Sequence, residues 1–262
     1  MKVGFLQFSP KFGEPKENLN FIKTKLKNSS INLLTLPELA LTGYTFKDYE
    51  EAYSLSEEIG GNFTQELIKI AEENDIIIAS GFLEKEGKSL YNSSVLLDKN
   101  GVIGVYRKIH LFYKEKNIFT PGNKGFPVFS IGDIRVGLLI CFDWIFPESI
   151  RTLALKGADI VLHSANLVLP YYQTAILTRA IENRVFIVLA NRIGREERFG
   201  QENVFIGGSK VVDPSGKVLL EISDKEEGLF GVNINPILAR NKNITELNNI
   251  FEDRRPEFYY KD

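Results

Sequence analysis

Short runs of apolar, often β-branched residues recur along this chain, each closed by a helical pattern or a turn signal. That rhythm restricts the fold to layered α/β arrangements. Residues 2–8 read as a strand, 15–27 as an amphipathic helix and 32–36 as a second strand, followed by a helix near 62–73 and the β-branched run 75–82. Strands 90–97 and 102–108 then follow with only Asp98-Lys99-Asn100-Gly101 between them, so a mixed sheet is expected rather than a purely parallel one. The second half alternates in the same way: strand 134–140, helix 147–155, strand 160–163, helix 172–183 and strand 185–190. The charged, glycine-bearing stretch 194–203 reads as a loop, and 209–212 with 218–221 as a hairpin around Asp213-Pro214-Ser215-Gly216. Neither linker nor internal repeat stands out, so the expectation is one domain over 1–262 with a peripheral tail from about 244 to 262, in which Phe251, Phe258, Tyr259 and Tyr260 suggest a docking contact.

Composition narrows the function classes. A chain of 262 residues with 44% hydrophobic and 25% charged residues can bury a large core. Its formal net charge of -2 and the lack of a sustained basic tract argue against nucleic acid as a partner. No apolar run approaches the ~18 residues of a membrane span or forms a signal peptide, so no membrane partner and a cytoplasmic location are expected. One cysteine excludes an intramolecular disulfide, and with only two histidines a typical zinc site is not expected. Neither a metal nor a cofactor is called for.

Three residues sit where apolar strands end. Cys141 follows Val136-Gly137-Leu138-Leu139-Ile140 and precedes a helix start at Pro147, a strand-to-helix turn of the kind that exposes a nucleophile. Lone cysteines are more often packed and inert, so position alone does not decide the matter. Glu38 lies among apolar neighbours in Leu36-Pro37-Glu38-Leu39-Ala40, where a carboxyl is either a turn cap or a proton acceptor. Lys108 closes the strand ending Val105-Tyr106-Arg107; most such lysines are solvated strand ends.

Taken together, the three segments resemble the nitrilase superfamily of carbon–nitrogen hydrolases. The resemblance runs through Pro37-Glu38 with Gly43-Tyr44, Tyr91-Asn92-Ser93, Tyr106-Arg107-Lys108-Ile109-His110-Leu111-Phe112, Pro121-Gly122 and Cys141-Phe142-Asp143 with Phe146-Pro147-Glu148. It continues through Ala165-Asn166-Leu167, Arg179-Ala180-Ile181-Glu182-Asn183-Arg184, Ala190-Asn191-Arg192 and Gly207-Gly208-Ser209, and so spans nearly the whole chain. It implies a four-layer αββα sandwich, paired through a helical surface into a homodimer or larger homo-oligomer. It also implies a second glutamate after the lysine, which falls on Glu115.

The chemistry implied is hydrolysis of a small-molecule amide with Cys141 as nucleophile, Glu38 as proton-transfer base and Glu115 orienting the other groups. Lys108 and the Phe142 backbone N–H would form the oxyanion hole, and the reaction would pass through a thioester. Neither His110 nor His163 is expected to pair with Cys141, while Asp143 and Glu148 are expected to satisfy backbone N–H groups, and Arg179, Glu182 and Arg184 to form ion pairs. Trp144 and Ile145 stand where several branches that grip substrate carboxylates place arginine. A neutral amide is therefore expected, with Tyr44, Trp144 and Asn166 as pocket walls. Arg195 or Arg198 would overturn that expectation by supplying a carboxylate partner. Nitrile or N-carbamoyl amine hydrolysis, or a non-catalytic thiol sensor, are the alternatives.

Overall fold

The computed structural model describes residues 1–259. Its first half supplies β1 (Lys2–Gln7), α1 (Pro15–Leu26), β2 (Leu33–Thr35), α2 (Tyr49–Leu55), α3 (Asn62–Asn74), β3 (Ile77–Glu86), β4 (Ser89–Asp98) and β5 (Gly101–Arg107). Its second half supplies β6 (Val128–Ile131), β7 (Ile134–Ile140), α4 (Pro147–Leu155), β8 (Ile160–Ala165), α5 (Tyr172–Asn183), β9 (Phe186–Asn191), β10 (Ile193–Arg198), β11 (Gln201–Ile206), β12 (Lys210–Val212), β13 (Val218–Glu221) and β14 (Gly228–Asn233). Two six-stranded sheets result, ordered β14-β1-β2-β3-β4-β5 and β13-β12-β9-β8-β7-β6, with β10 and β11 forming a separate two-stranded ribbon. Each large sheet has three parallel strands at its heart, β1-β2-β3 and β7-β8-β9, flanked by antiparallel strands.

The sheets face each other, and helices cover their outer faces to give four αββα layers. Side-chain alternation explains why the strands read as continuous apolar runs. Leu33, Ala79 and Leu96 point into the core between the sheets, whereas their neighbours Leu34, Ile78, Val95 and Leu97 pack against the helices. Both faces are buried, so both parities must be apolar. On the helix side, α1 contributes Leu19, Ile22 and Leu26, and α3 contributes Leu67, Ile70 and Ala71, each set at helical spacing. Beneath the second sheet's helices, Ile150 and Leu153 of α4 and Ile176 and Ala180 of α5 do the same. No helix among the described residues is long and apolar enough to cross a membrane.

Stretch 194–203 departs from expectation: it belongs to the β10–β11 ribbon, not to an irregular loop. Its charged residues, of which Glu196 is buried and the others exposed or half-buried, obscure the strand pattern. Strands β6 and β14 and helix α2 were also not foreseen. In the tail, Phe251 packs against the core and receives the Arg151 and Lys242 cations on its ring, while Phe258 and Tyr259 are exposed. Tyr260 lies outside the described residues.

Because β5 runs in the same direction as β1, β2 and β3, the carboxyl ends of β2 and β5 share one edge of their sheet. Gly81 on β3 keeps the turn after β2 close. A Cβ there would sit 2.5 Å from Glu38 Cα and closer still to the Pro37 carbonyl oxygen and Leu39 nitrogen. Gly81→Ala is therefore expected to lower stability by about 1–3 kcal/mol through overpacking and to reduce turnover by displacing Glu38. Thermal unfolding and kcat measured on the same preparation check this; an unchanged melting temperature with full activity would contradict the close-packing argument.

Candidate active site

Glu38, Lys108, Glu115 and Cys141 converge where the two sheets meet, at the carboxyl ends of β2, β5 and β7 and in the turn after β5. Carboxyl ends of strands are where open α/β sheets leave room for ligands. Lys108 is fully buried, with its Nζ 2.7 Å from Glu38 Oε1 and 2.8 Å from Glu115 Oε1. Asn92 Nδ2 also donates to Glu38 Oε1 at 2.7 Å, and Tyr44 Oη donates to Glu115 Oε1 at 2.7 Å. The Phe112 backbone N–H donates to Glu115 Oε2 at 3.0 Å. Glu38 Oε2, by contrast, is buried and has no hydrogen-bond partner among the described residues.

These contacts set the protonation states. Burial alone would lower the Lys108 pKa, but the carboxyls of Glu115 and Glu38 outweigh it and hold the ammonium charged well above the usual lysine range. Burial pushes Glu115 up, against the pull of Lys108 and with Glu38 adding to the rise. Burial likewise raises the Cys141 thiol, and Glu38 raises it further. Lys108 pulls it down, as does a backbone hydrogen bond from Asn166. Burial, the largest of these influences, favours the protonated thiol of Cys141.

Three left-handed, non-glycine residues lie beside these side chains: Leu39 (φ 49°), Tyr113 (φ 47°) and Cys141 (φ 39°). Each such conformation costs ~1–2 kcal/mol and persists only where surroundings impose it. Around Cys141 two networks do so. His163 Nε2 lies 3.1 Å from the Cys141 carbonyl oxygen and its Nδ1 lies 2.9 Å from Tyr172 Oη. Since a carbonyl can only accept, Nε2 carries the hydrogen, and Tyr172 donates to Nδ1. Burial, the dominant cause, depresses the His163 pKa to about 3, so the ring stays neutral. It supports the Cys141 backbone, and both of its ring nitrogens are engaged away from the thiol. On the other side, Asp143 Oδ2 accepts from Tyr106 Oη at 2.7 Å and from the Ile140 N–H at 3.2 Å, while Oδ1 accepts from the His110 N–H at 3.2 Å. Asp143 thus ties the β5 end to the β7 end.

Two cavities open onto this cluster. One, about 90 Å³, is walled by Cys141, Phe142, Trp144, Ile145, Leu169 and Tyr171. The other, about 40 Å³, is walled by Tyr44, Phe46, Glu115, Ile118, Phe119 and Asn203. Phe112, Asn166 and Val168 line both. Phe142 and the expected pocket walls Tyr44, Trp144 and Asn166 thus all border the site. Arg195 and Arg198 do not: Arg195 pairs with Glu197 and Glu202, and Arg198 pairs with Glu51 at 2.7 Å and donates to the Thr45 carbonyl oxygen. Arg179 pairs with Glu182 at 2.9 Å, whereas Arg184 donates to the carbonyls of Asn241 and Pro214. Larger clefts, about 510 Å³ beside Arg240 and Phe251 and about 480 Å³ beside Arg151 and Arg254, are not lined by Cys141.

Sequence reasoning assigned no role to Asn92 or Glu196. Asn92 is a polar residue inside an apolar strand, which was the available signal. Glu196 is buried, pairs with Arg192 at 2.7 Å and accepts from the Thr45 N–H at 2.7 Å, bracing the turn that carries Tyr44. Its setting in a charged stretch hid it. Removing the central cation tests the cluster as a unit: Lys108→Met should destabilise the fold by about 3–5 kcal/mol by leaving buried carboxyls unpaired. It should also cut kcat by about 10²–10³-fold. Urea unfolding and steady-state kinetics read both effects, and near-normal values of either would contradict the arrangement.

A family model described as carbon-nitrogen hydrolase matches residues 2–241. The chain is 45% identical to a protein of Pyrococcus abyssi named nitrilase, across all of both chains. It is 36% identical to an (R)-stereoselective amidase of Pseudomonas sp, over 86% of this chain and 82% of that one. Among solved structures it resembles an amidase from Nesterenkonia sp. with a TM-score of 0.81 and 28% identity, covering 98% of this chain and 94% of that one. A mutant of that amidase carries the acetamide moiety of fluoroacetamide added covalently at its active-site cysteine. With its sandwich of two facing sheets and a cysteine turn beside a buried Glu-Lys-Glu cluster, the chain belongs to the carbon–nitrogen hydrolase family of the nitrilase superfamily.

Proposed function

We propose that this hydrolase cleaves a small, neutral carboxamide to a carboxylate and ammonia through a thioester on Cys141. The observation that carries the reading is Glu38. One carboxyl oxygen is committed to Lys108 and Asn92, and the other is buried, unpartnered and free to take a proton. As Cys141 attacks the amide carbon, its proton passes to Glu38 and the carbonyl electron pair moves onto oxygen. Lys108 and the Phe142 N–H stabilise that oxyanion; one such donor is typically worth ~3 kcal/mol. Collapse breaks the C–N bond, and the departing nitrogen takes the proton from Glu38 and leaves as ammonia. Glu38 then removes a proton from water, whose oxygen attacks the thioester. The C–S bond breaks, the sulfur regains the proton and the acid is released. A positioned base of this kind contributes roughly 10²–10⁴-fold. Glu115 touches neither reacting atom in this scheme; it holds Lys108 and Tyr44 in place.

Neutrality of the substrate follows from what borders the site. Two carboxyls face one buried ammonium, the two arginines of the ribbon are engaged elsewhere, and Trp144 and Ile145 offer an apolar wall. The Pyrococcus abyssi relative's name gives nitrile hydrolysis as a second reading. Asn166 favours the amide. Its Nδ2 donates to the Glu38 carbonyl oxygen at 2.9 Å, which fixes the amide orientation and leaves Oδ1 a buried acceptor with no partner. A carboxamide brings N–H donors for it and a nitrile brings none. The same reading takes the chain as one cytoplasmic hydrolase domain that assembles as a homodimer or larger homo-oligomer.

Ammonia release from aliphatic and aromatic amides, omega-amido acids, carbamoyl amines and matching nitriles tests the proposal. Neutral amides should be the best substrates, and Cys141→Ala should reduce turnover at least about 10⁴-fold. Retained turnover in the variant would sink the mechanism; preference for omega-amido acids or for nitriles would sink the substrate assignment.

A further inference from the structure

Another buried ion pair lies outside the cluster of Glu38, Lys108 and Glu115 and lines neither cavity of the site. Arg192 Nη1 lies 2.7 Å from Glu196 Oε1, with both side chains almost fully enclosed. Such a pair is a poor route to stability, since apolar residues of similar volume in its place are often neutral or stabilising. Its contacts give it a different use. Glu196 accepts from the Tyr44 N–H, 3.2 Å from each carboxyl oxygen, and from the Thr45 N–H at 2.7 Å. Gly43 (φ 82°) makes room for that approach, because a Cβ there would lie 2.8 Å from Glu196 Oε1.

Arg192 also places its guanidinium carbon 4.0 Å from the centre of the Phe205 ring, and that ring meets Tyr44 edge-on, with centroids 6.0 Å apart and planes at 86°. Tyr44 is thereby held twice from the β10–β11 ribbon, through its backbone by Glu196 and through its ring by Phe205, and Arg192 touches both. The far end of the Tyr44 side chain donates from Oη to Glu115 Oε1 at 2.7 Å, the oxygen that also receives Lys108 Nζ at 2.8 Å. We propose that Arg192 and Glu196 are positioning residues: they aim the Tyr44 hydroxyl at Glu115, and through Glu115 set the place of Lys108 in the site. This rests on the amide-hydrolysis reading above. Neither residue borders the substrate cavities, so loosening the pair acts on the chemical step and not on substrate binding. A displacement of ~1 Å passed to a reacting centre in this way can cost about 10²-fold.

The test is a double-mutant cycle on hydrolysis of the fastest carboxamide in the panel above, using the full chain with Glu196→Gln, with Tyr44→Phe and with both. Glu196→Gln should lower kcat about tenfold and leave KM within about threefold. Tyr44→Phe should lower kcat at least as much. Adding Glu196→Gln to it should cost less than about twofold more, because the hydroxyl through which Glu196 acts is already gone. Circular dichroism and thermal unfolding confirm that each variant is folded. If the lone Arg192 charge unfolds Glu196→Gln, the variant carrying Arg192→Met and Glu196→Gln, which removes both charges, takes its place in the cycle. Losses that multiply when the changes are combined would overturn the inference and leave amide hydrolysis standing. So would a folded Glu196 variant with kcat within about twofold of the unaltered chain, or a loss confined to KM. No ammonia from the unaltered chain with any carboxamide would overturn the amide reading and this inference together.

Discussion

One ammonium group holds the functional end of this molecule together. Lys108 Nζ is buried between Glu38 and Glu115, and stripping its water would be prohibitive without both carboxyls. The carboxyls need it equally, since two like charges cannot share a dry site unaided. Asn92, Tyr44 and the Phe112 N–H then occupy all remaining carboxyl oxygens but Glu38 Oε2. In the amide hydrolysis proposed above, that one unpartnered oxygen is the acceptor for the Cys141 proton.

The site also depends on the sandwich closing. Glu38, Lys108 and Glu115 come from or follow the first sheet, whereas Cys141 and Asn166 end strands of the second. Cross-sheet ties carry the register between them: Tyr106 of β5 bonds Asp143 beyond β7, and Asn166 beyond β8 bonds the Glu38 carbonyl oxygen. His163 and Tyr172 hold the left-handed Cys141 from below. Backbone strain at Leu39, Tyr113 and Cys141 is thus spread over three turns that each present a side chain to the site.

Much of this was legible in the amino-acid order. Strands with both faces buried announce themselves as continuous apolar runs, and polar residues at their ends, Glu38, Lys108 and Cys141, stand out against that background. The four-layer arrangement and the place of Glu115 came from family resemblance, because no local periodicity says which sheet a strand joins. What escaped notice has physical causes. The β10–β11 ribbon carries charges on both faces, so no alternation marks it, and its buried Glu196 looks like any surface acid. Strands β6 and β14 are edge strands with half-buried residues and weak patterns. The two halves share a strand topology without visible sequence repetition, since topology constrains polarity and length far more than residue identity.

Amide hydrolysis as proposed above requires a covalent acyl group on Cys141. Mass spectrometry of enzyme acid-quenched during turnover of saturating 2-methylpropanamide addresses it most directly. The acyl mass is expected on the peptide containing Cys141, appearing before steady state and vanishing once substrate is spent. Sustained ammonia release with that peptide unmodified throughout would contradict it.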